Sequence, residues 1–288
     1  MQIDGEERDA HQEPRIEPYP ECYFPRIPRY IDAAFRSSTT NEVYFFLIDK
    51  CVRVYYTPGQ ERQTDDKFLT DLCWTGYGFP SLSNSPFASC GIHCAFDTEG
   101  NEAYIFSGNM GVCLDYANDK VLTGIERRIG DMFPVLDDTV FQDGIDSAFR
   151  SSRGKEVYLF EGNKYCCMDY ASKQLVDPIR NITDGFPVLK GTIFEDGIDA
   201  AFASHKENQA YLFKGENYTL MNFIPGSPDA TLVDGVKPII DGWSSFRDIL
   251  PLDNVLCTDE SDYSCQTDES NYSGDESPEN DEFGQKKE

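Results

Sequence analysis

At 288 residues, with 40% hydrophobic and 13% aromatic content, the chain carries enough apolar mass for a sizeable buried core and is not disordered as a whole. Fifty-one acids against 25 lysines and arginines leave a net charge of −26, which excludes nucleic acid and anionic membrane as partners unless a basic patch compensates, and makes cations the natural ligands. Nothing in the sequence reaches transmembrane length.

Residues 1–29 mix acids and arginines with prolines at 14, 18, 20, 25 and 28. They read as an extended, disordered N-terminal extension, with no apolar stretch of the length a secretory signal needs. The expected compartment is therefore reducing and cytoplasmic, and most of the ten cysteines are expected to be thiols. Cys51, Cys94, Cys113, Cys166 and Cys167 fall inside strand patterns, where a buried cysteine acts as a small hydrophobe. Cys90 and Cys94 have no second ligand pair at zinc-site spacing.

From Tyr30 onward one phrase occurs four times: Ile31-Asp32-Ala33-Ala34-Phe35, Ile92-His93-Cys94-Ala95-Phe96, Ile145-Asp146-Ser147-Ala148-Phe149 and Ile198-Asp199-Ala200-Ala201-Phe202, at steps of 61, 53 and 53 residues. Each copy continues in register with a second phrase, Glu42-Val43-Tyr44-Phe45-Phe46 in the first and Gln209-Ala210-Tyr211-Leu212-Phe213 in the last. A turn such as Gly162-Asn163 leads to a third strand, and a fourth short strand precedes a closing motif: Gly78-Phe79-Pro80, Met132-Phe133-Pro134, Gly185-Phe186-Pro187 and the variant Gly242-Trp243-Ser244. The closer reads as a short helical turn stopped at proline. Each repeat is thus one four-stranded antiparallel blade. Strands such as Val157-Tyr158-Leu159-Phe160 are apolar on both faces, which demands cover on both sides. Four such units in a ring supply it, so the expected fold is all-β, a four-bladed β-propeller over residues 30–252, with blades at about 30–82, 90–136, 141–189 and 194–246. Residues 253–288, with twelve acids against two lysines, read as a disordered acidic tail.

The alanines of the first phrase suit a crowded axis. The preceding position then places Asp32, Asp146 and Asp199, with His93 as the odd member, at one mouth of the central channel. An Asp at a strand start can cap a turn, but three converging on an axis would repel without a cation, protons or water between them, so a cation site is the stronger expectation. The recurring Tyr44, Tyr104, Tyr158 and Tyr211 read as packing between blades. No nucleophile stands beside a histidine in any repeat, and neither G-x-S-x-G nor H-E-x-x-H occurs, so the chain is not expected to be an enzyme.

The stretches Tyr30-Ile31-Asp32-Ala33-Ala34-Phe35-Arg36-Ser37-Ser38, Arg153-Gly154-Lys155-Glu156-Val157-Tyr158-Leu159-Phe160, Asp131-Met132-Phe133-Pro134 and Ala201-Phe202-Ala203-Ser204-His205-Lys206 resemble the hemopexin repeat, and within it the legume seed albumin-2 group. The resemblance spans about residues 30–252. It implies a hemopexin-like, cytosolic seed protein that binds haem or the polyamine spermine, forms a ligand-responsive homodimer, and holds a calcium-type cation on the axis at the start of the innermost strands, which falls on Asp32, His93, Asp146 and Asp199. His93 departs from the acidic pattern; this is harmless if only its main-chain carbonyl is used. Haem needs an axial ligand, and of the three histidines His205 is the best placed. Two further readings stay open: a storage protein without a specific ligand, and a protein-interaction module.

Overall fold

The computed structural model describes residues 30–252 apart from 125 and 126; the N-terminal extension 1–29 and the acidic tail 253–288 lie outside the described residues. Each of the four repeats folds as one antiparallel sheet, ordered from an inner to an outer strand. The innermost strands are Ala33–Arg36, Cys94–Asp97, Ser147–Arg150 and Ala200–Ala203, each paired with the strand of the second phrase, as in Ala33 opposite Phe46 and Ala200 opposite Phe213. Each innermost strand also lies against the innermost strands of both neighbouring blades, the last against the first, which closes a four-bladed ring. No helix among the described residues is long and apolar enough to cross a membrane.

Packing explains why both faces of these strands are apolar. Four hydrophobic clusters fill the four gaps between blades, so each sheet is covered on either side by a neighbour. The gap between blades 4 and 1 is the most aromatic, with Phe45, Tyr56, Phe202, Tyr211 and Phe213 gathered around a fully buried Trp243.

Two features depart from the repeat as read from sequence. The outer strand is continuous in blades 3 and 4 (Gln174–Asn181 and Ala230–Pro238) but broken in blades 1 and 2, into Lys67–Phe68 with Cys73–Trp74 and Lys120–Val121 with Arg127–Arg128. The closing helical turns Thr75–Gly78, Ile129–Met132 and Ile182–Gly185 end just before their prolines, as read, but Pro80, Pro134 and Pro187 then open a further 3-10 turn, where the missing N–H is not needed.

The extra residues of the first repeat step form segment 57–66, which leaves blade 1 and attaches to blade 4. The Gln63 N–H donates to the Gly242 carbonyl at 2.6 Å, its side-chain amide donates to Tyr211 Oη at 2.8 Å, and Asp66 accepts the backbone N–H groups of Ser244 and Ser245 at 3.0 and 2.9 Å. The last blade is thereby tied to the first by polar contacts as well as by the shared aromatic core.

Candidate functional site

The axis is the place where all four repeats meet. The innermost strands around it carry small side chains: Ala33, Ala34, Ala95, Ala148, Ala200 and Ala201 are all buried. The residue that opens each inner strand donates its N–H to the phenylalanine carbonyl opposite, from Asp32, His93, Asp146 and Asp199 to Phe46, Phe106, Phe160 and Phe213, at 2.9, 2.8, 2.8 and 2.9 Å. Each of these side chains accepts a backbone N–H of its own blade. Asp32 accepts the N–H of Ile48, His93 Nδ1 that of Gly108 at 3.1 Å, Asp146 that of Gly162 at 2.7 Å and Asp199 that of Gly215 at 2.8 Å.

The structure thus brings the four sequence-predicted positions to equivalent places, but each side chain caps the hairpin turn of its own blade, and His93 does so as well as an aspartate. Among the described residues no group of three or more His, Cys, Asp and Glu side chains is gathered closely enough to hold a metal ion. In each aspartate one carboxylate oxygen accepts an N–H sixteen residues on, a turn-capping role that leaves the expected cation site at this mouth standing beside it.

Beside this mouth, between blades 3 and 4, lies a pocket of about 610 Å³. Asp146, Asp196, Asp199 and Glu216 line it, against the single cation Lys214, with Ile193 supplying an apolar wall. Asp196 and Glu216 sit outside the repeated phrase, so the sequence did not connect them with the axis.

The opposite end of the inner strands carries a charged cluster that sequence reasoning missed. Asp97 is buried, with Arg36 Nε at 3.1 Å and Arg150 Nη1 at 3.8 Å from the same carboxylate oxygen. These residues occupy one register position, Arg36, Asp97, Arg150 and Ala203; because the residue type changes from blade to blade, no repetition marked it.

His205 belongs to this end. Its Nδ1 is 2.7 Å from Tyr56 Oη and its Nε2 is 2.6 Å from the Ser37 carbonyl oxygen, so the ring bridges blade 4 to blade 1 rather than standing in a solvated loop. Burial holds its pKa below the usual histidine value, so the neutral ring is favoured. An iron ion at His205 would have to displace one of these two contacts. Cys51, Cys73, Cys94, Cys113, Cys166 and Cys167 are thiols, whereas Cys90 is disulfide-bonded.

No family model matches the chain. Albumin-2 of Lathyrus sativus is 49% identical over 230 residues, covering 78% of this chain and 99% of the relative. Among solved structures, a hemopexin-fold protein from cow pea is 56% identical with a TM-score of 0.74, covering 78% of this chain and all of that one. A plant lectin with two metal-binding sites from Cicer arietinum is 51% identical, also with a TM-score of 0.74 and the same coverage.

Proposed function

The chain belongs to the albumin-2 family of hemopexin-fold seed proteins, and on that premise we propose that it is a ligand-binding seed albumin that takes an organic polycation, a polyamine such as spermine, in the acidic pocket beside the propeller axis. The observation that carries this reading is the pocket lining itself: four carboxylates against one lysine, in about 610 Å³, which suits an extended chain of ammonium groups separated by methylenes. Because each aspartate already caps a turn, a calcium-type cation on the axis would be held by the main-chain carbonyl oxygens of Asp32, His93, Asp146 and Asp199, ligands that a hard cation accepts. The two metal-binding sites of the Cicer arietinum lectin support a metal somewhere in this fold. Haem is the second ligand of the proposal, with His205 as its axial ligand, and ligand occupancy controls a homodimer.

The test is a spermine titration of the full chain at low and at high salt, repeated with Asp196→Asn combined with Glu216→Gln. Attraction between exposed charges is screened beyond about 8 Å at physiological ionic strength, so affinity is expected to fall with salt and to drop roughly tenfold in the double variant. Salt-independent affinity, or a double variant that binds like wild type, refutes the acidic-pocket reading.

A further inference from the structure

In blades 3 and 4 the third strand, Lys164–Asp169 and Asn217–Phe223, has as its second residue a tyrosine whose ring presses on the glycine of the closing turn: Tyr165 on Gly185 and Tyr218 on Gly242. Across the strand pair each tyrosine faces a cation, Arg180 and Lys237, and Arg180 lies 5.7 Å from the Tyr165 ring centre. Blade 1 has neither. The tyrosine position holds Cys51, the cation position holds Cys73, and the two are directly opposed in the antiparallel pair Lys50–Tyr55 with Cys73–Trp74. Gly78 keeps the place of the closing glycine, and a Cβ there would come within 2.3 Å of Cys51 Sγ and 3.7 Å of Cys73 Sγ. The space that a tyrosine fills elsewhere contains two thiols.

We infer that Cys51 and Cys73 form a thiol–disulfide site, a dithiol that closes to a cross-strand disulfide on meeting a small-molecule disulfide of the glutathione class. Directly opposed residues of an antiparallel pair have Cα atoms about 4.5–5.5 Å apart, inside the range a disulfide spans without moving the backbone. Access is open, since Cys73 is only half-buried and Cys51 borders a surface pocket of about 160 Å³. The two thiols face each other across the strand pair, and their roles are unequal. Cys73 ionises more readily than an ordinary cysteine because the neighbouring Cys51 thiol favours its thiolate, while Cys51 is held protonated by Cys73 and by burial.

The chemistry follows this asymmetry. The Cys73 thiolate attacks one sulfur of the small disulfide, whose S–S bond breaks and releases one thiolate. Cys51 then gives its proton to solvent and attacks Cys73 Sγ, expelling the second thiolate, and both leaving thiolates take up protons as their own pKa values dictate. One dithiol and one disulfide become one disulfide and two thiols, with no other oxidant. The new bond would close the chain segment that contains 57–66, the part of blade 1 fastened to blade 4, so oxidation should reinforce ring closure.

The experiment uses the full chain, reduced, freed of reductant, incubated with oxidised glutathione, then alkylated and mapped by mass spectrometry. Expected is a peptide pair joined through Cys51 and Cys73, with both residues protected from alkylation, and a melting temperature roughly 5–10 °C above that of the reduced protein. In Cys73→Ser the part of that rise owed to this bond should vanish, leaving only what Cys90 contributes. Both cysteines alkylated after oxidation, or glutathione retained on Cys73 beside an alkylated Cys51, overturns the inference. Should Cys73→Ser fail to fold, the peptide map of the wild-type chain decides alone.

Discussion

The four turns that receive the axial side chains are not equally comfortable. Their N–H donors are Ile48, Gly108, Gly162 and Gly215, all with positive φ, at 58°, 54°, 50° and 52°. Glycine adopts this region at no steric cost, whereas a β-branched residue there is strained by roughly 1–2 kcal/mol. Blade 1 tolerates Ile48 because Asp32 grips its N–H and the flanking strands fix the turn from both sides. Ile48→Gly is therefore expected to stabilise the protein by about 1 kcal/mol, the relief of strain exceeding the lost contacts of a half-buried side chain. Urea denaturation measures it, and a variant less stable than wild type would show that the Ile48 side chain contributes more than its backbone costs. The sequence showed that position 32 matters but not this capping bond, because an aspartate's reach toward an N–H sixteen residues away depends on the hairpin being formed.

At the scale of the element, the blades solve one packing problem in two ways. Blades 3 and 4 set a large tyrosine against a glycine, while blade 2 reverses the sizes: Gly111 stands at the tyrosine position, and a Cβ on it would lie 2.8 Å from the Met132 sulfur. Repetition in the sequence revealed the strands but not this exchange, because partners some twenty residues apart vary together while each varies alone from blade to blade. The tightest case is Gly242, where a Cβ would lie 1.7 Å from Tyr218 Oη. Gly242 does not have a left-handed backbone, so the obstacle is purely steric. Tyr218 is buried and donates to the Glu61 carbonyl at 2.7 Å, leaving it little freedom to withdraw. Gly242→Ala is expected to destabilise by about 3 kcal/mol, at the upper end for overpacking, measured by chemical denaturation. A loss below about 0.5 kcal/mol would mean that the ring can swing aside, and that the size exchange does not govern how closers seat on blades.

For the molecule as a whole, the ring was legible in four copies of one phrase, but the manner of its closure was not. Segment 57–66 has no counterpart in the other repeats and entered the sequence reading only as a first step of 61 residues instead of 53. The variant closer Gly242-Trp243-Ser244 was equally visible and equally mute. Structure joins the two observations. Where blades 1 to 3 place Pro80, Pro134 and Pro187, blade 4 places Ser244, which restores a backbone N–H, and Asp66 accepts it together with the Ser245 N–H and both serine hydroxyls. Asp66 is 8% exposed, so these are hydrogen bonds to a buried carboxylate, and removing it strands four donors at once. Asp66→Ala is expected to cost about 3 kcal/mol, and Asp66→Asn less, because an amide oxygen can still accept. Ser244→Pro makes blade 4 resemble the other closers, and deletes one N–H without orphaning the remaining donors; it should cost less than Asp66→Ala. Thermal melts of the three variants give this order directly, and in the two Asp66 variants hydrogen exchange should show the greatest loss of protection at Gln63 and Ser244, the amides that tie the blades together. Equal melting temperatures for wild type and Asp66→Ala would leave the Trp243 aromatic cluster as what holds the ring shut.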